Sequence, residues 1–224
     1  MPAASTRLVL ITAAAALTVA TLAAVGRPAS SANESARARF AAVPQRGISL
    51  GRPDAPVTVV EFADLQCPFC AQYARDVLPA VVDRYVRPGR VRLELRVLAF
   101  LGPDSVRAGR VAAAASAQNR LWSFADAFYR DQGAENSGYA TDAFLRRVLS
   151  KVGGVAVERA MTERDSRATD GVLVDARRVA AHLRVASTPS FYARRGSGPL
   201  RALELTGLTP EAFAAALEGA LGDV

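Results

Sequence analysis

Apolar positions fall into three kinds of run along this chain. The first kind is short and β-branched. Val57-Thr58-Val59-Val60-Glu61-Phe62 is apolar on both alternating faces, which predicts a central parallel strand. Val91 to Val97 alternates strictly with Arg and Glu, which predicts a strand with one wet face near a sheet edge. Leu98 to Phe100 complete it, and Gly102-Pro103 stop it. A third strand is predicted at Ser190-Phe191-Tyr192, with a turn over Gly196 to Pro199 and a return over Arg201 to Leu205.

The second kind of run recurs at helical spacing. Tyr73, Val77, Leu78, Val81, Val82 and Tyr85 mark the core face of a helix over Ala71 to Val86. Pro79 should kink it, and Pro88-Gly89 end it. From Asp104 to about Leu183 the pattern is helical throughout. Asp104 or Ser105 is the expected cap of an alanine-rich helix reaching Gln118. Leu121, Trp122, Phe124, Phe128 and Tyr129 form an aromatic stripe, read as core. A polar loop, Asp131 to Ala140, separates it from helices starting near Thr141, Val155 and Asp165. The block is too long for a simple crossover. It reads as a helical subdomain inserted at about 104–183. Thr209-Pro210-Glu211 opens a last helix, with Phe213, Leu217 and Leu221 toward the sheet.

The third kind is one continuous run. Leu8 to Val25 carries only apolar and small residues plus threonines, and shows no amphipathic face. Residues 1–33 therefore read as a secretory signal peptide or an uncleaved membrane anchor. Residues 34–52 read as a polar linker, in which Phe40 to Val43 and Ile48 to Leu50 suit a short N-terminal strand. Residues 53–224 form the domain. An export signal implies an extracytoplasmic place of work, where a dithiol can serve as an oxidant.

Composition changes this picture little. The chain has 224 residues and a formal charge of +7. The basic residues are spread out, and no basic run is interleaved with aromatics, so nucleic-acid binding is set aside.

The candidate chemistry is Cys67-Pro68-Phe69-Cys70, the only two cysteines of the chain. They lie where a strand gives way to a helix, which is a redox signature inside a βαβ pattern. Only the thiolate attacks a disulfide, and a helix N-terminus favours it. Cys67 is the expected exposed attacking sulfur. Cys70 lies one turn in. Pro68 suits the first helical turn. A zinc site is the first alternative, but one such pair supplies two ligands of the usual four, and His182 is the only histidine. No metal or cofactor is expected beyond the cysteine pair itself. A structural disulfide is the second alternative, yet so small a loop removes little entropy from the unfolded chain.

Glu61 interrupts an otherwise apolar strand six residues before Cys67. One reading makes it a buried proton acceptor for Cys70, with a raised pKa. The other makes it a strand-end glutamate paired with an arginine. Asp64 either caps the helix, tunes the pair or simply turns the chain. Thr188-Pro189 precedes a strand. A cis bond there would turn the Thr188 backbone toward the cysteines for strand addition by a peptide. A trans proline starting an edge strand is the alternative.

These residues together resemble the DsbA-like thiol–disulfide oxidoreductases of the thioredoxin-fold superfamily. The resemblance runs from about Gly51 to Leu221. It rests on Val59 to Cys70, the Pro88-Gly89 segment, the insert opening near Pro103-Asp104-Ser105 with Gln118 and Leu121-Trp122, and Ser187 to Phe191. It implies an α/β thioredoxin-like fold, a mixed sheet flanked by helices with the helical insertion. It implies Cys67 as nucleophile, Cys70 as buried partner, Glu61 as buried acid, and Thr188-Pro189 as a cis-proline loop. Pro68, Phe69, Thr188 and Pro189 would then meet the substrate. It implies reduced or unfolded exported proteins as clients and a membrane redox partner, with oxidase the leading direction and reductase or isomerase the rival. A non-catalytic peptide-binding domain is a further reading. Phe69 departs from the histidine of the best-known members, which predicts a less oxidising couple. No dimerisation domain of the isomerase branch is seen, which favours a monomer.

Overall fold

A computed structural model describes residues 39–222 of the chain. The expected signal or anchor, 1–33, lies outside the described residues. Among the described residues no helix is long and apolar enough to cross a membrane.

Six strands form one mixed sheet in the order β1-β2-β4-β3-β5-β6. They are β1 (Gln45–Arg46), β2 (Ser49–Leu50), β3 (Val57–Ala63), β4 (Val91–Val97), β5 (Ser190–Arg195) and β6 (Arg201–Ala202). Buried along its whole length, β3 pairs parallel with β4 and antiparallel with β5. Burial on both faces is what its unbroken apolar run requires.

Helix α1 spans 68–86 and links β3 to β4. Its turns alternate between α and π, with π turns over Tyr73–Val77 and Val82–Val86. Pro79 lacks an N–H and crowds the preceding turn, which is met by the wider π turn just ahead of it. The insert then supplies α2 (Pro103–Ala117), α3 (Leu121–Arg130), α4 (Asp142–Ser150), α5 (Val157–Glu163) and α6 (Arg167–His182). Pro103 itself opens α2. Asp104 and Ser105, expected as caps, lie buried in its first turn. Helix α7 (Pro210–Gly222) closes the chain, with Phe213 and Leu217 fully buried.

The sheet separates two apolar layers. Val57, Val59 and Ala63 share the main core with α1 and α7. Val60 and Phe62 point the other way and meet Ala176 and Ala180 of α6. Tyr73 of α1, Phe191 of β5 and Phe213 of α7 stack in a triangle with centroids 4.7, 4.8 and 5.1 Å apart. This triangle fixes the cysteine-bearing helix against the strand that follows Pro189.

Two expectations need correction. β4 does lie near the sheet edge, with only the two-residue β2 paired outside it at Leu93 and Glu94, but its polar face is not wet. Its polar face is a half-buried ion network. Glu94 is gripped by Arg92 at 3.1 Å and Arg194 at 3.3 Å, and Arg96 bonds Asp175 of α6 at 2.6 Å. Nor are residues 39–52 a free tether. Phe40, Val43 and Leu50 are buried in the main core, and β1 and β2 form a small hairpin there. Of the short strands expected here, Ser49–Leu50 is β2, whereas Phe40 to Val43 form a turn that places its apolar side chains in the core.

Candidate active site

Cys67 sits at the mouth of α1. Its backbone is extended (φ −66°, ψ 120°), and Pro68 takes the first helical position. The Cys67 carbonyl accepts from Ala71 N–H at 3.1 Å, which starts the helix. The backbone N–H groups of this first turn have no helical partner, so they point at the Cys67 sulfur. Both cysteines are free thiols. Cys67 is only 4% exposed, less than its expected role as an exposed sulfur suggested, and Cys70 is fully buried.

Thr188-Pro189 lies beside them, 121 residues away in sequence. Its peptide bond is cis. The Cys67 thiol donates to the Thr188 carbonyl at 3.2 Å. The β3–β5 ladder ends at the Phe62–Ser190 pair, so the Thr188 backbone lies past the last rung. From there a groove of about 360 Å³ runs between Phe69, Pro189, Tyr192, Leu203, Leu205 and Leu208. Phe69 is 59% exposed at its head, and Phe100 is also exposed.

Glu61 is buried on the same sheet face as Val57 and Val59. It forms no ion pair with an arginine among the described residues. Its carboxyl is therefore not the arginine-paired strand-end glutamate that was the alternative expectation. Burial, and after it the charge of Cys67, pushes its pKa up to about 8.

The two sulfurs are driven apart electrostatically. A hydrogen bond from the Cys70 thiol is the largest influence on Cys67. The Thr188 side chain and the backbone N–H groups of Cys70 and Phe69 add to it. Burial opposes them, and the Cys67 pKa falls to about 6. Burial first, then the bond to Cys67 and the charge of Glu61, pushes Cys70 far above the ordinary thiol range. At neutral pH the site therefore offers one thiolate and one thiol, the arrangement that thiol–disulfide exchange uses.

Several residues hold the site through contacts that the sequence does not show, and Asp64, which does turn the chain, does more than that. Asp64 neither caps the helix nor faces the sulfurs. Its carboxylate accepts from Gln66 N–H at 2.8 Å, Phe100 N–H at 2.9 Å, Leu101 N–H at 3.0 Å and the Ser105 hydroxyl. Gln66 accepts from Asn136 N–H at 2.7 Å and donates to the Leu101 carbonyl at 2.7 Å. Gln132 donates to the carbonyls of Leu65 at 2.8 Å and Cys67 at 3.3 Å. The insert thus clamps the loop that carries Cys67. The polar composition of 131–140 marks a loop, but its partners appear only in three dimensions.

The comparisons with known proteins agree with this geometry. The family described as thioredoxin matches residues 44–196. The probable disulfide bond formation protein D of Bacillus cereus is 34% identical over 148 residues, covering 64% of this chain and 68% of that protein. The oxidised crystal structure of BdbD from Bacillus subtilis shares the fold with a TM-score of 0.68 at 19% identity, covering 80% of this chain and 97% of that one. A thioredoxin-like oxidoreductase from Silicibacter pomeroyi is 25% identical with a TM-score of 0.61, over 84% and 98% of the two chains. A paired thiolate and thiol on this frame, with these relatives, places the chain in the thioredoxin family as a DsbA-like thiol–disulfide oxidoreductase.

Proposed function

We propose that this protein works outside the cytoplasm as an oxidase, passing a Cys67–Cys70 disulfide to exported proteins. The observation that carries this reading is Cys67 at the mouth of α1, beside Cys70 and the Thr188 backbone, an arrangement that lowers its pKa. A thiol that ionises easily is a good leaving group and stabilises the reduced form, which makes the disulfide an oxidant. The name of the Bacillus relatives, disulfide bond formation protein D, supports the same direction. The apolar run Leu8 to Val25 supports export.

In the forward reaction a client thiolate attacks Cys67. The client–Cys67 bond forms, the Cys67–Cys70 bond breaks, and Cys70 leaves with the electron pair. Glu61, protonated below about pH 8, gives its proton to the Cys70 thiolate. A second client thiolate then attacks the client sulfur, closes the client disulfide and expels Cys67 as a thiolate. Pro68, Phe69 and Thr188-Pro189 hold the client strand along the groove. A membrane redox partner accepts the electrons and regenerates the disulfide. The oxidase acts as a monomer.

Oxidised protein mixed with a reduced, unfolded secretory protein should generate client disulfides, and Cys67→Ser should abolish this. No transfer from protein with a confirmed 67–70 bond refutes the reading. A pair found mostly reduced in cells points instead to a reductase or isomerase fed by the membrane.

A further inference from the structure

The client groove adjoins a second and larger cleft. Ala202, Leu203 and Glu204 line both. The second cleft lies between the β5–β6 hairpin and α7, and its volume is about 680 Å³, against about 360 Å³ for the groove beside Pro189. That is the size of a ligand site rather than of a packing defect. Ala193 and Leu203, both packed on the main core, lie at its base. Ala216, Gly219 and Ala220 of α7 form its wall. Gly219 is exposed, and a Cβ there would meet nothing within 4 Å, so the wall leaves room for a large apolar side chain.

The charge of this cleft differs from that of the groove. Glu204 is the one charged side chain that lines the groove. Arg195 and Arg201 line the cleft beyond it, and both are exposed. They share one face of the hairpin. Arg195 follows Ala193 at the strand period of two, and Arg201 is the cross-strand partner of Ala193. Neither forms an ion pair among the described residues, and Arg195 keeps its charge while donating to the Leu221 carbonyl. β6 is the outermost strand and both its residues are exposed, so a chain can pass from groove to cleft over the sheet edge. From Ser190 to Arg195, β5 advances roughly 17 Å at ~3.3 Å per residue. An extended polypeptide spans that distance in about five residues.

We propose that this cleft is a distal subsite for the client polypeptide. It takes an apolar side chain against α7 and an acidic side chain against Arg195 and Arg201, about five to seven residues from the reacting cysteine. The inference rests on the client exchange at Cys67 given under Proposed function. The occupant is the client because the cleft is continuous with the groove that meets the sulfur, and because its two arginines complement a carboxylate. Contacts this far from the sulfur do not touch the exchange itself. They add binding to long clients, which raises their rate of capture over that of small thiols.

The test is disulfide formation in two synthetic peptides by the oxidised full chain, read as a second-order rate constant. Both peptides contain the same cysteine pair. The short one ends just beyond the pair. The long one continues on both sides, with a leucine and glutamates placed about five to seven residues out. The wild type should oxidise the long peptide about tenfold faster than the short one, and lysines in place of the glutamates should remove about threefold of that. Gly219→Leu fills the cleft from a helical position that favours leucine over glycine, so the fold is kept and the advantage of length should vanish. Arg201→Glu should turn the charge preference toward the lysine peptide. Equal wild-type rates for long and short peptides, a length advantage unchanged in Gly219→Leu, or an acid preference unchanged in Arg201→Glu overturns the subsite. A cleft that serves a lipid or a second copy of this chain gives the second of these results. If neither peptide gains a disulfide, the oxidase reading falls and the subsite falls with it.

Discussion

At the scale of single residues, the site is a difference in proton affinity between two sulfurs. Cys67 is lowered chiefly by a hydrogen bond from Cys70, so the two pKa values are set by each other. Alkylation of the reduced protein should therefore titrate with a midpoint near pH 6. In Cys70→Ala, the midpoint should move upward, because the largest stabilising contact is gone. An unmoved midpoint would hand that role to the backbone. Phe69 contributes only its N–H to the thiolate. Phe69→His should lower the midpoint and shift the glutathione equilibrium toward the reduced protein, as measured by the ratio of the two forms. The cysteines, Pro68 and Pro189 were legible in the sequence because spacing and proline constraints are local. Glu61 was legible because period two assigns its face. Gln132 and Asn136 were not, because nothing local distinguishes them from other polar loop residues.

At the scale of elements, the junction between the insert and the cysteine loop is the sensitive one. Gly102 stands at φ 92°, and a Cβ there would lie 2.2 Å from Asn136 Oδ1. Gly102→Ala should destabilise by about 2 kcal/mol through backbone strain alone, plus the loss of Asn136 from Gln66. Thermal unfolding checks the first effect, and a slower reaction of Cys67 with a peptide disulfide checks the second. β4 shows why periodicity misleads here. Alternation of Leu with Arg and Glu predicts water on one face. Three arginines around Glu94, with the aliphatic stems of their side chains lying on the sheet, make that face half-buried instead. Sequence patterns read polarity, and ion pairing across strands is invisible to them.

At the scale of the whole molecule, stability and acidity are linked through Glu61. Its pKa is raised by burial from 4.5 to about 8. The folded reduced protein therefore binds a proton that the unfolded chain releases above about pH 4.5. Stability from this group falls as pH rises from 4.5 through 8. Glu61→Gln removes that fall, so the variant should be the more stable by on the order of 2–4 kcal/mol at pH 9 and close to wild type at pH 4.5. Denaturant titrations at the two pH values measure it, and a pH-independent difference would contradict a buried, titrating carboxyl. The N-terminal arm belongs to the same cooperative unit. Phe40 is 6% exposed in the main core. Phe40→Ala should cost about 3 kcal/mol, as for a core aromatic, whereas a tether residue would cost nothing measurable. The helical insertion and the α/β frame were readable from long periodic runs; in residues 39–52 the strand at Ser49–Leu50 was readable too, but the turn at Phe40 to Val43 and its packing into the core were not, because isolated apolar anchors give no period.

The β3–β5 ladder works as a gauge. Cys67 and Thr188 are counted off from adjacent strands along six rungs, and neither position is measured along the chain between them. Chain length inserted between the two halves drops out of that count. Length can be added among helices α2 to α6 while sulfur and carbonyl keep their spacing, so long as Ser105, Gln132 and Asn136 keep their hold on the cysteine loop. A slip of one rung, about 3.3 Å, would instead turn every side chain of β5 to the opposite face and dismantle both the groove and the reactive end at once.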